Sequence, residues 1–164
     1  MSQPPLVLVV EDDDSNREMF SQFLESAGFS VLGARNGAEG LQIARAQLPA
    51  VIVTDLSMPA IDGWQFARAL RDDARTRRIA IVAVSGHPHD EQIERNSRGG
   101  RPTINSILPK PCDLDDLLRE IRNVMARGGL ARVRGKRQLA KAADLDRRAG
   151  RLLDKPARAQ RRPR

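Results

Sequence analysis

The chain has 164 residues, of which 40% are apolar, so it can form one domain with an ordinary core and an appendage. No apolar run approaches the roughly 20 residues that span a bilayer, and the N-terminus lacks the features of a signal peptide. We therefore expect a cytoplasmic protein, and the single cysteine, Cys112, agrees with a reducing compartment.

The net charge of +7 is unevenly divided along the chain. Residues 127–164 contain 14 Lys and Arg against 3 Asp, a net charge of +11, whereas residues 1–126 have a net charge of −4. Any attraction to a polyanion therefore concerns the C-terminal part alone. We predict a domain at residues 1–126 and a basic tail, partly helical or disordered, at residues 127–164.

The chain begins with a buried strand, an acidic turn and a helix. Leu6 to Val10 is a run of five apolar residues, too short for an independent helix and typical of a strand buried on both faces. Glu11 and three aspartates follow it. Ser15 stands three residues before Glu18, which predicts a capping box at the start of a helix that ends at Gly28. The predicted apolar face of this helix consists of Met19, Phe20, Phe23 and Leu24.

The same unit recurs along the domain. The pattern predicts further strands at residues 29–34, 50–54, 79–84 and 104–108. It predicts helices at 36–46, with Asn36 as the cap, at 64–70 and 90–97, and a last amphipathic helix capped by Asp113. Parallel strands need crossover connections, and here each crossover is a helix. The predicted fold is therefore α/β, a doubly wound five-stranded parallel sheet with helices on both faces.

Polar side chains follow four of the five predicted strands. Glu11 and Asp12 follow the first strand, Asp55 the third, Ser85 the fourth and Lys110 the fifth. In an open α/β sheet the working crevice lies beyond the carboxyl ends of the strands, where the winding reverses. The second strand ends without such a residue, which fits the order 2-1-3-4-5, with the first and third strands as neighbours.

The three acids at this edge would repel one another unless a positive charge lay among them. A cluster of oxygen ligands without a nearby His or Cys favours a hard divalent ion, Mg²⁺ first. Lys110 supplies a further positive charge and Ser85 a hydroxyl donor. These are the groups that a phosphoryl group arriving at Asp55 would require.

Four motifs carry a family resemblance. They are Val-Val-Glu-Asp-Asp at 9–13, Asp-Leu-Ser-Met-Pro-Ala-Ile-Asp-Gly at 55–63, Val-Ser-Gly at 84–86 and Pro-Lys-Pro at 109–111. Together they resemble the receiver domain of bacterial two-component response regulators over roughly residues 5–126. The resemblance implies a flavodoxin-like fold and a signalling switch that is not a turnover enzyme.

The resemblance also implies roles for individual residues. Asp55 would accept a phosphoryl group from a sensor histidine kinase or a histidine phosphotransfer protein. Asp12 would bind Mg²⁺ directly, with Glu11 as its partner through water, and Asp55 and the backbone carbonyl of Ser57 would complete the protein's metal ligands. Ser85 would hold a phosphoryl oxygen. The phosphorylated state would then change the binding of a downstream protein target.

Lys110 would pair with the acyl phosphate, and the Lys110–Pro111 peptide bond is expected to be cis. Two departures from the family pattern bear on how the signal is passed on. Ile107 stands where the family has an aromatic residue, and the interval from Ser85 to Lys110 is longer than usual, with residues 98–103 as the expected insertion.

Three interpretations of the basic tail remain open. It could be a solvated disordered segment, a nonspecific binder of nucleic-acid phosphates, or a helix that docks on a partner. The alternative function is therefore a nucleic-acid-associated regulator in which the receiver gates a tail that binds DNA or RNA.

Overall fold

The computed structural model describes residues 2–86 and 103–128. In chain order the elements are β1 (Leu6–Val10), α1 (Asp14–Ser26), β2 (Ser30–Ala34), α2 (Gly37–Gln47), β3 (Val51–Asp55), α3 (Gly63–Asp72), β4 (Ala80–Ser85), β5 (Ser106–Pro109) and α4 (114–128). The predicted helix at 90–97 lies outside the described residues. So does the tail beyond residue 128, and its character stays a prediction.

All five strands are parallel and form one sheet in the order β2-β1-β3-β4-β5. This confirms the predicted order and the flavodoxin-like, doubly wound class. Because β1 and β3 are neighbours, with Val10 paired to Thr54, the residues that follow these two strands meet at one edge of the sheet.

The sheet has a hydrophobic core on each face, as expected for strands that are apolar on both sides. Alternate residues of each strand point to opposite faces, so Leu8 and Ile52 pack with the buried side of α2 and α3, represented by Phe66. Val9 and Val53 pack on the other face with residues of α1 and α4. Each face is therefore packed against two of the described helices, which helps to hold the strand ends in position.

Side-chain caps define where the helices begin. Asp13 caps α1, accepting the backbone N–H of Asn16 at 2.8 Å, and Asn36 caps α2, as predicted. Asp62 and Gln65 form a reciprocal capping box at the start of α3, with bonds of 2.8 and 3.2 Å. Asp113 accepts the backbone N–H of Asp115 at 2.8 Å at the start of α4. The box at α3 fixes the end of the loop that follows β3.

Two expectations for the helices were wrong. Ser15 does not cap α1, because Asp13 takes that position two residues earlier. Met19 is 44% exposed and is not part of the buried face, which consists of Phe20 and Leu24. On α2, Ala38 is exposed, and the glycines Gly37 and Gly40 are buried.

Arg71, near the end of α3, clips together three segments at the amino ends of β4 and β5. Its guanidinium donates to the carbonyls of Arg77, Ile79 and Thr103 at 3.0, 2.7 and 2.9 Å. It also donates to the side-chain oxygen of Asn105 at 3.0 Å. Burial lowers the pKa of this guanidinium, but the side chain remains a cation that satisfies several backbone carbonyls at once. The clip therefore holds β5 beside β4.

The backbone contains a cis peptide bond at Lys110–Pro111, as expected. Within the parts of the chain that the structure describes, no helix combines the length and apolar character needed to cross a membrane.

Candidate functional site

The end of β1 supplies two of the three acids. Glu11 follows directly after β1 and is 2% exposed, whereas Asp12 is exposed. The Glu11 N–H donates to the carbonyl of Ala34 at 3.0 Å, and one side-chain oxygen accepts the N–H of Asp13 at 3.2 Å. Glu11 is thus held at its backbone by the end of β2 and at its carboxylate by the turn into α1.

Asp55 is the last residue of β3 and is 5% exposed. Its Oδ1 accepts the backbone N–H of Ser57 at 2.9 Å, and its Oδ2 accepts a hydrogen bond from Lys110 Nζ at 2.9 Å. A carboxylate held at both oxygens has one orientation, which is what a positioned nucleophile requires.

Oxygen atoms of Glu11, Asp12 and Asp55 lie within 4.8 Å of one another. Carboxylate oxygens at this separation are the donor set that a hard divalent cation prefers, and the exposed Asp12 leaves one side of the cluster open to water. The residues present therefore fit Mg²⁺. Ser57 is exposed in the loop after β3, next to the cluster in sequence.

Lys110 provides the positive charge that balances these acids. Its Nζ lies 2.9 Å from Asp55 Oδ2 and 3.5 Å from Glu11 Oε2, and its side chain is 30% exposed. Partial burial pulls the pKa of Lys110 downward, but the hydrogen bond to Asp55 and the charges of both carboxylates outweigh it, so the pKa is raised. Lys110 is thus held in its charged form.

The pKa of Glu11 is raised as well, and for an acid this favours the neutral form. Burial raises the pKa of Glu11 above its ordinary value, and the nearby negative charge of Asp55 adds to this, although the N–H of Asp13 and the charge of Lys110 oppose it. Burial is thus the main reason that the Glu11 carboxylate is harder to ionise than a solvated one, and the charge of Asp55 is a smaller contribution.

Ser85 ends β4 at the same edge of the sheet and is fully buried. Asp55 pairs with Val84, so Ser85 lies one position beyond Asp55 in register. The Ser85 carbonyl accepts the Lys110 N–H at 2.7 Å. The structure therefore places all of the sequence-predicted site residues at one end of the sheet, while Ile107, further back in β5, packs against the core on the α2 and α3 side.

Two residues near the site were missed by the sequence analysis. Arg17 in α1 donates to the backbone carbonyl of Glu11. No sequence pattern around Arg17 predicts this contact. Gly63 was part of the predicted motif at 55–63, but its close packing was not predicted: a Cβ at Gly63 would lie 2.4 Å from the carbonyl oxygen of Asp55. The Asp-Gly pair at 62–63 was the available signal that the backbone passes close to another segment there.

Comparisons with known proteins agree with this geometry. A family model described as the response regulator receiver domain matches residues 7–122. Response regulator Rre1 of Synechocystis sp. is 34% identical over 77% of the chain, which spans 54% of that relative's length. Protein PilH of Pseudomonas aeruginosa is 33% identical over 73% of the chain, which spans 97% of PilH.

The chain also resembles a solved structure in its three-dimensional fold. It is the receiver domain of a sensor histidine kinase of Pseudomonas aeruginosa, described with a magnesium ion coordinated in its active site cleft. The chain resembles it with a TM-score of 0.67 and 25% identity, over 75% of this chain and 98% of that one.

Proposed function

The chain belongs to the response regulator receiver domain family of two-component signalling, and from that premise we propose that Asp55 accepts a phosphoryl group in the presence of Mg²⁺. The donor would be a sensor histidine kinase or a histidine phosphotransfer protein. The modified protein would then change its binding to a downstream protein, acting as a switch and not as a turnover enzyme.

One observation carries the proposal. Asp55 is a buried carboxylate whose two oxygens are each held by a donor, the Ser57 N–H and Lys110 Nζ, at 2.9 Å. A residue that served only as a turn former would need neither a lysine at that distance nor two further acids within 4.8 Å. The arrangement suits a nucleophile that must be aimed while the charge around it is compensated.

The transfer itself needs little covalent chemistry from the protein. An Asp55 oxygen attacks phosphorus, an O–P bond forms, and the N–P bond to the donor imidazole breaks. Its electron pair stays on the imidazole nitrogen, and the imidazole takes up a proton from solvent. Lys110 moves from pairing with the carboxylate to pairing with the acyl phosphate, and Ser85 donates its hydroxyl to a phosphoryl oxygen.

The cation would be held by carboxylates of Glu11, Asp12 and Asp55 and by the backbone carbonyl of Ser57. When bound, Mg²⁺ supplies positive charge that offsets the negative charge of the phosphoryl oxygens. The magnesium reported for the similar kinase receiver supports this assignment by likeness.

The test uses the full chain with Mg²⁺ and a small acyl phosphate, followed by measurement of the intact mass. The wild-type protein should gain one phosphoryl group, and chelation of Mg²⁺ should prevent the gain. D55N should gain none, whereas D72N, which removes an exposed acid near the end of α3, should behave as wild type. An unmodified wild-type protein, or equal modification of D55N, would contradict the proposal.

The alternative function concerns the basic tail at residues 127–164. Nearly all of it lies outside the described residues, so binding of DNA or RNA by the tail stays a prediction. Removal of residues 128–164 separates the two functions. The receiver function predicts unchanged phosphorylation and unchanged recognition of the protein target, whereas the tail function predicts intact phosphorylation with loss of partner recognition.

A further inference from the structure

Arg17 joins the first helix to the acidic turn after β1. Its NH1 group donates to the backbone carbonyl of Glu11 at 2.9 Å, and its NH2 group forms an ion pair with Asp14. Only 16% of the Arg17 side chain is exposed, although it carries a full charge. A guanidinium shielded to this degree, with two partners in fixed directions, is a structural brace and not a solvated surface charge.

The sheet leaves room for this brace at one position of β2. A Cβ on Gly33 would lie 3.2 Å from Cδ of Arg17 and 3.6 Å from its Nε. The aliphatic part of Arg17 therefore runs across the strand at Gly33. Any larger residue there would push on the stem, so the glycine and the arginine fit as a pair.

The carbonyl that Arg17 holds belongs to the peptide unit between Glu11 and Asp12. β1 ends at Val10, so this carbonyl lies beyond the strand and Arg17 supplies its donor. A peptide unit is planar, so fixing its carbonyl also fixes its N–H and the Cα of Asp12. One contact thus orients the backbone from which both carboxylates project.

We infer that Arg17 is a positioning residue for the cation site, acting through the Glu11–Asp12 peptide. The inference rests on the proposed function in that it requires these acids to bind Mg²⁺. Arg17 itself touches neither the cation nor the phosphoryl group. Loss of the brace should let the Asp12 backbone turn, and the cluster should then bind Mg²⁺ less tightly.

The charge of Arg17 and its hydrogen bonds have opposite expected effects on Mg²⁺ affinity, so a substitution can tell them apart. Arg17 is a cation bonded to the backbone of the turn that carries Glu11 and Asp12, so removing its charge should by itself strengthen Mg²⁺ binding through reduced repulsion. Removing its hydrogen bonds should weaken Mg²⁺ binding because the ligands lose their orientation. The sign of the change therefore identifies which role Arg17 has.

The experiment measures the Mg²⁺ dissociation constant of the full-length protein by isothermal titration calorimetry. R17M keeps the stem and removes charge and donors, and R17K keeps the charge but not the two-armed geometry. R45M is the matched control, since Arg45 forms an ion pair with Asp73 at 2.9 Å while its side chain is 49% exposed. Thermal melts in the presence of a chelator check that each variant is folded.

We expect R17M and R17K to bind Mg²⁺ about tenfold more weakly, the low end of effects seen for residues that orient metal ligands. R45M should match wild type. Unchanged or tighter binding by R17M, or wild-type affinity in R17K, would overturn the inference while leaving the proposed function intact. Absence of Mg²⁺ binding by wild type would overturn both.

Discussion

Replacing Lys110 by methionine should destabilise the metal-free protein, since K110M removes the charge that compensates two buried acids while keeping a side chain of similar length. The contacts are 2.9 Å to Asp55 and 3.5 Å to Glu11. With an effective dielectric constant of about 20, each is a gross attraction of about 5–6 kcal/mol. Regained hydration of the exposed part of the site offsets much of this.

The net loss should be about 3 kcal/mol, the low end for breaking a buried pair, because water can reach the 30% of Lys110 that is exposed. For a domain of this size, that corresponds to a fall in melting temperature of about 10 °C. The assay is urea unfolding in the presence of a chelator near neutral pH, followed by circular dichroism. R119M is the control, because Arg119 and Asp116 form an exposed pair, and its loss should cost under about 1 kcal/mol.

The deficit of K110M should depend on pH with a defined sign. The folded-state pKa of Glu11 is already raised, and loss of Lys110 should raise it further. The folded protein then binds more protons than the unfolded chain above pH 4.5, so stability falls as the pH rises through that range. The gap to wild type should be widest near neutral pH and narrow toward pH 4.5. A deficit no larger than that of R119M, or one that does not narrow on acidification, would refute the reasoning.

Three further predictions concern the loops and the cysteine. A60G should raise the free energy of unfolding by about 0.5–1 kcal/mol, because Ala60 has a positive φ of 67° that glycine adopts without strain. G28A should lower the free energy of unfolding by a similar amount, because Gly28 has φ of 93°. Urea titrations that give changes of the same sign for both variants would contradict this. G63A should lower the free energy of unfolding by about 3 kcal/mol and reduce phosphorylation of Asp55, since its Cβ would lie 2.4 Å from the Asp55 carbonyl oxygen. A G63A variant that melts at the wild-type temperature would contradict this. Burial and two nearby acids raise the pKa of the Cys112 thiol above 9.0, so alkylation of the folded protein, followed by mass, should be slow near neutral pH and accelerate only in alkali, and fast neutral alkylation would refute it.

The sheet was predictable because apolar runs mark buried parallel strands directly. Leu6–Val10 has the predicted bounds, and the sheet order is the one that the family resemblance implies and that the lack of a polar residue after the second strand fits. The fifth strand was placed two residues too early. Asn105 bonds to Ile81 through its side chain, and this replaces part of the strand ladder, so β5 begins only at Ser106. No local pattern distinguishes such an asparagine from a strand residue.

The acids and the lysine of the site were predictable for a related reason. Each lies at the carboxyl end of a strand, where the fold brings side chains together. Arg17 and Arg71 were not predictable, because each sits on a helix among charged residues and there has the pattern of a solvated side chain. Their partners are backbone carbonyls, and because every residue has one, the sequence does not indicate which carbonyl will be bonded.

The Arg71 clip has a consequence for how this fold can diversify. Residues 87–102 are flanked by two sets of contacts, the Ser85 carbonyl with the Lys110 N–H on one side and Arg71 with Thr103 and Asn105 on the other. The distance from Lys110 to Asp55 is thus set by strand pairing and by these anchors, not by the length of chain between them. A change of length between Ser85 and Thr103 that preserves these contacts should therefore leave the lysine beside the aspartate.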